Sequence, residues 1–285
     1  MGLGERLLAT RFSRRDVLRN ACRAGVAAGG IYTIHKLSPF IPDEIDPSVY
    51  VEQLIGRPIA WFYHNSADSD ERFQTGVESG ANAEADIRFF RGSLFSKHEQ
   101  GALEKLSLVE LAQQSVEAIF EKVKNSKRGV NIDIKFSEEE NDQAMPLLYQ
   151  ALQVFDENVP IIFTGTNHLA LRRLSRDRPN QQIMLTINDD KSKESFDAVY
   201  EEWVNVAPEG SDMGDILEGM GVMLKWGRIR SNPKEQIEKY RKIGLLVGVY
   251  GANDPLDFVT LANFNVECIT TDNVGVIKQV SRADF

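Results

Sequence analysis

Four short stretches of this 285-residue chain combine residue types that chemistry requires with spacings that strands provide. In Glu84-Ala85-Asp86 the i, i+2 spacing throws both carboxylates to one side of an extended backbone, roughly 6 to 7 Å apart. Asn131-Ile132-Asp133-Ile134-Lys135 repeats the device, with an acid and an ammonium on one face and two isoleucines on the other. His64-Asn65 closes the apolar run Ile59-Ala60-Trp61-Phe62-Tyr63, and Lys97-His98-Glu99 closes a shorter one. Two acids on an apolar face repel and desolvate each other unless a cation sits between them. Glu84, Asp86 and Asp133, with no cysteine nearby, form a hard, all-oxygen donor set suited to Mg²⁺ or Ca²⁺ rather than zinc. Taken singly, each residue also has a structural reading: a hydrogen-bonded strand-end histidine, or an Asp133–Lys135 ion pair. Together, at successive strand ends, they are costly to bury without a purpose.

The elements that must carry these residues follow from periodicity. Strand-length apolar runs fall at Pro58–Tyr63, Ala81–Phe89, Leu94–His98, Val130–Lys135, Pro160–Thr164, Ile183–Ile187, Trp203–Val206, Val222–Lys225, Leu245–Tyr250 and Val266–Thr270. Helical patterns follow several of them, at Ser107–Lys124 with a capping box to Glu110, at Glu138–Phe155, and at Pro233–Ile243 behind Asn232 as N-cap. Strands alternating with helices, several of them continuously apolar, imply a buried parallel sheet. Some eight such units predict an α/β fold, a closed (β/α)8 TIM-type barrel, and no Gly-x-Gly-x-x-Gly turn follows an early strand to suggest dinucleotide binding. In such barrels functional side chains gather where strands end. His168 reads as a helix-start or surface group, Trp203 and Trp226 as core or rim aromatics, and Arg172, Arg173, Arg176 and Arg178 as a solvated face.

Composition fixes the rest. Charged residues make up 26% and apolar ones 42%, as in an ordinary globular chain, and the formal charge of −9 argues against a nucleic-acid surface. Cys22 and Cys268 offer neither metal-ligand spacing nor a disulfide framework. Residues 1–38 differ: seven basic and two acidic groups give a local charge of +5, ahead of a small-residue apolar run from Ala24 to Ile34 that is too short to span a bilayer. Ser13-Arg14-Arg15-Asp16-Val17-Leu18 resembles a twin-arginine export signal, and the alternative is a basic helix resting on anionic lipid. A proline-punctuated linker, 39–56, then leads to a single barrel domain over 57–285.

The order of the motifs resembles the glycerophosphodiester phosphodiesterase superfamily of phospholipase-C-like barrels: a strand ending in His64, then Gly80-Ala81-Asn82 leading into Glu84-Ala85-Asp86, then His98-Glu99, then Asn131-Ile132-Asp133-Ile134-Lys135. The tail, Gly244–Tyr250 with Asn253 and then Ile269-Thr270-Thr271-Asp272, is similar to that family's last two strands. The resemblance implies that His64 and His98 form an acid/base pair, that Glu84, Asp86 and Asp133 hold one divalent cation, Mg²⁺ or Ca²⁺, and that Lys135 and Asn65 meet the substrate, Lys135 as a point charge beside the phosphate. It implies a metal-dependent phosphodiesterase acting on a small glycerophosphodiester or related phospholipid headgroup, with possible membrane-surface association. Asn65-Ser66 stands where the family has Arg-Gly, Phe90-Arg91-Gly92 replaces a Thr-x-Asp-Gly turn, and Tyr250 replaces a tryptophan. The short spacing from His64 to Glu84 is closer to sphingomyelinase-D-type phospholipases, the alternative activity. An alternative of another class is a barrel retained for binding or scaffolding.

Overall fold

The computed structural model describes residue 54 and residues 59–155, 159–178, 180–187, 200–201 and 219–283. The basic segment 1–38, nearly all of the linker and the expected strand Trp203–Val206 lie outside the described residues.

Apolar runs become strands where both faces are covered. β4 (Val130–Ile134) and β5 (Ile161–Gly165) are buried along their whole length, as parallel strands packed between barrel interior and outer helices must be. With β1 (Ala60–Tyr63), β2 (Asn82–Phe90), β6 (Gln182–Ile187), β7 (Met220–Lys225), β8 (Leu246–Tyr250) and β9 (Cys268–Thr271) they form a parallel sheet in which β1 pairs with both β9 and β2, closing an eight-stranded barrel. Helices such as Val116–Ser126, Asn141–Ala151 and His168–Asp177 bury their apolar stripes against its outside. Inside, Phe62, Ile162, Met184, Met223 and Cys268 fill the barrel as a separate small core.

β3 (Ser93–Ser96) does not follow the strand-then-helix scheme. It runs antiparallel to β2, because Arg91 and Gly92 both take positive φ (51° and 80°), the backbone of a tight hairpin turn whose twist matches its strands. The hairpin folds the chain back over β2, and the Lys97 N–H donates to the Asp86 carbonyl at 2.9 Å. The helix expected over Ser107–Lys124 is broken in two: Leu108–Gln113 and Val116–Ser126 are separated because the Gln114 carbonyl accepts from the Ser96 N–H at 2.8 Å and Ser115 caps the second helix. Asn232 precedes the helix Pro233–Arg241, but its side chain accepts no helix N–H and donates instead to the Glu235 carboxylate.

Candidate active site

β2 and β4 pair in a register that sets Glu84 beside Asn131 and Asp86 beside Asp133, so strand pairing brings the acids of two motifs together. Lys135, just past β4, bridges the second pair: its Nζ lies 2.6 Å from Asp133 Oδ2 and 3.3 Å from Asp86 Oδ1. His64 follows β1 at the same barrel end, and the β2–β3 hairpin returns His98 to it. The two imidazoles meet edge to face with centroids 5.7 Å apart. His98 Nδ1 is 3.4 Å from Asp86 Oδ2, and His64 Nε2 is 4.0 Å from Glu84 Oε2. His64 Nδ1 is 3.2 Å from Asp272 Oδ1, at the end of β9. Asn65 takes a left-handed conformation (φ 52°), which aims its N–H at Glu84 Oε2 at 2.7 Å.

Burial and charge tune these groups. Burial first, then the neighbouring Asp86 charge, raises the Glu84 pKa to about 8. Burial also raises Asp133. Burial would raise Asp86 as well, but His98 and Lys135 pull its pKa below the usual carboxylate range. Asp86 beside Nδ1 raises the His98 pKa by more than desolvation lowers it. For His64 burial disfavours the imidazolium, yet the Asp272 hydrogen bond and the charges of Glu84, Asp272 and Asp86 outweigh it, and the net shift is upward. Both imidazoles thereby hold a proton more tightly than a free imidazole does.

A divalent cation fits the chemistry of these donors. Asp86 Oδ2 and Asp133 Oδ1 are buried without a hydrogen-bond partner, and Glu84 is driven to keep its proton first by burial and then by the charge of Asp86. The arrangement differs from three carboxylates converging on one point. The Lys135 ammonium lies between Asp86 and Asp133, Glu84 turns toward Asn65 and His64, and among the described residues no three His, Cys, Asp or Glu side chains stand as a ready ligand group.

Several residues around the site escaped sequence reasoning. Arg72, on the helix Asp70–Glu78, donates to the His64 carbonyl at 2.6 Å and lies 3.4 Å from Asp272. Asp68 accepts from the His98 N–H at 3.0 Å, and Arg88 Nε donates to the His98 carbonyl at 3.0 Å. Thr164 donates to Asn131, whose amide in turn faces Glu84. Asp272 carried a signal, since it follows the last strand; Arg72, Asp68 and Arg88 carried none, because their partners are mostly backbone atoms, which no pattern of side-chain types records. His168 begins a helix and pairs with Glu138 at 2.9 Å, away from these groups, and Trp226 is buried.

The profile of the glycerophosphoryl diester phosphodiesterase family matches residues 92–276. The chain belongs to this family. It is therefore a phosphoric diester hydrolase of the glycerophosphodiester phosphodiesterase type. The matched span holds His98, Asp133 and Lys135 but not His64, Glu84 or Asp86, which the barrel's closure joins to them. Among solved structures, a phosphodiesterase of Oleispira antarctica in complex with the product sn-glycerol-3-phosphate aligns with TM-score 0.59 at 13% identity, covering 82% of this chain and 98% of that one. A glycerophosphodiester phosphodiesterase of Parabacteroides distasonis gives 0.56 at 16% identity over 80% and 99% of the two chains. One from Thermotoga maritima gives 0.51 at 19% identity over 76% and 95%. These likenesses establish the shared fold. No curated protein sequence matches the chain.

Proposed function

We propose that this family member cleaves a glycerophosphodiester or related phospholipid headgroup with His64 and His98 as its acid/base pair. The observation that carries the reading is the facing pair of imidazoles, each backed by a carboxylate, above a cluster of buried acids at one barrel mouth. Glu84, Asp86 and Asp133 would hold a divalent cation, which when bound supplies neutralisation of the diester oxygens. Asp272 on Nδ1 leaves His64 Nε2 as the exchanging nitrogen, suited to take the proton of the attacking hydroxyl. Asp86 supports a protonated His98, suited to donate to the alkoxide as its bond to phosphorus breaks. Each transfer is worth about 10² to 10⁴ in rate. Lys135 adds a point charge next to the phosphate. The product named with the Oleispira antarctica structure, sn-glycerol-3-phosphate, supports a substrate of this size. The basic segment 1–38, outside the described residues, is read as a twin-arginine-like export signal, with lipid-surface attachment as its alternative.

The test is turnover of glycerophosphocholine, glycerophosphoinositol, lysophosphatidylcholine and sphingomyelin with added Mg²⁺ or Ca²⁺. Cation-dependent release from a glycerophosphodiester is expected, falling about 10²-fold or more in His64→Ala and in His98→Ala. Residual activity above about a tenth in either variant contradicts that residue's role. Cleavage of sphingomyelin alone would move the substrate to the sphingomyelinase-D type, and tight binding without turnover would favour the binding barrel.

A further inference from the structure

His98 sits on no regular element. β3 ends at Ser96 and the next helical turn begins at Gln100, so no ladder or helix hydrogen bond fixes its peptide. Its position comes instead from two side chains. Asp68 Oδ1 accepts from the His98 N–H at 3.0 Å, and Arg88 Nε donates to the His98 carbonyl at 3.0 Å and to the Lys97 carbonyl at the same distance. The Lys97 ammonium closes the clamp by donating to the Asp68 carbonyl at 2.7 Å.

Asp68 belongs to the loop after β1, and this loop reaches Glu84 on β2 as well as the Lys97-His98 segment after β3. The Asn65 N–H holds Glu84 at 2.7 Å, and Ser66 Oγ accepts from the Glu84 N–H at 2.8 Å. Arg72 holds the His64 and Asn65 carbonyls at 2.6 and 3.1 Å and reaches Asp272. The loop and the first turn of the helix behind it therefore fix His64 at the end of their own strand and His98 across from it.

We propose that Asp68 is a positioning residue for His98, setting the ring against Asp86 and opposite His64 without touching substrate. The inference rests on the reading of His98 as a proton-transfer group. Removing the acceptor frees the His98 peptide to turn, and displacement of a reacting group by about 1 Å is worth on the order of 10² in rate.

The experiment compares Asp68→Ala, Asp68→Asn and Asp70→Ala, assayed for kcat and KM on whichever glycerophosphodiester the wild type turns over, with the His98 ring resonances recorded by NMR and thermal midpoints measured alongside. Asp68→Ala is expected to lower kcat by about 10- to 100-fold with KM little changed and to move the His98 resonances. Asp68→Asn keeps an oxygen acceptor at the same place, so it restores most of kcat and the wild-type resonances although the charge is gone. Asp70, in the same segment but paired outward with Lys122, serves as the control for general loop damage, and Asp70→Ala should match wild type. Wild-type kcat and resonances in Asp68→Ala, or equal impairment of Asp68→Asn and Asp68→Ala, would overturn the proposal. The ring resonances report placement even if His98→Ala retains turnover, so the positioning of His98 and its catalytic role fail separately.

Discussion

Glu84→Gln isolates the charge that the barrel mouth tolerates least. In the folded chain the Glu84 pKa is raised from 4.5 to about 8, by burial and by Asp86. A carboxyl held in this way binds its proton more tightly folded than unfolded, so stability is greatest below the unfolded pKa and falls as pH rises through the window up to about 8. At roughly 1.4 kcal/mol for each tenfold change in proton affinity, the loss across the window is on the order of a few kcal/mol. Asp133, also raised, loses stability in the same direction, and so do His64 and His98 above their unfolded value of 6.5. Those of Asp133 and His98 remain in the variant, whereas the His64 shift loses the part that the Glu84 charge supplies, so the difference between the two proteins is the titration of Glu84 together with that part. The assay is urea unfolding with a chelator present, from pH 5 to pH 8. Wild type should lose stability steadily, whereas Glu84→Gln should show a flatter curve and be the more stable protein at pH 8. Adding Mg²⁺ or Ca²⁺ at pH 8 should then stabilise wild type and leave the variant nearly unchanged, because ligand binding to the folded state adds stability and the variant has lost an anionic donor. Parallel pH curves for the two proteins would refute the claim that Glu84 is a strained buried carboxyl, and an equal response to the cation would remove it from the ligand set.

Asp272→Asn should lower kcat by on the order of 10² or more while leaving unfolding nearly unchanged, since it removes the partner that orients His64. The acidic limb of the pH–rate profile should move to lower pH, because the His64 pKa loses a raising influence; an unmoved limb would exclude this role. Gly248→Ala should cost about 1 to 3 kcal/mol in denaturant unfolding. Its methyl would collide with the sulfurs of Met223 and Cys268 inside the barrel, and wild-type stability would show that this interior is not closely packed. Replacing Arg14-Arg15 by Lys-Lys keeps the charge but should abolish export, as followed by cell fractionation; unchanged localisation would leave electrostatic attachment to lipid as the reading of that segment.

The strands were legible because burial on both faces writes itself into sequence as uninterrupted apolar runs, and nine of the ten expected runs, from Pro58–Tyr63 to Val266–Thr270, overlap described strands. The carboxylates were legible because an acid inside such a run has few physical excuses, as in Glu84-Ala85-Asp86 and Asn131–Lys135. The antiparallel turn of β3 was not, since Phe90-Arg91-Gly92 announces a hairpin only when the non-glycine Arg91 accepts positive φ, a local cost that the pairing of β2 with β3 repays. Nor was the order of contacts at the site. That His64 answers to Asp272, more than 200 residues away, follows from β1 closing onto β9. The place of Lys135 between Asp86 and Asp133 follows from the register of β2 on β4. Residue identity along a strand is a local property and can be read in sequence. The backbone partners of Arg72 and Arg88 lie within ten residues and are delivered by the turns after β1 and β2, whereas Asp68 reaches the His98 N–H, thirty residues on, through the packing of β2 beside β1, and Arg72 reaches Asp272 only because β1 closes onto β9.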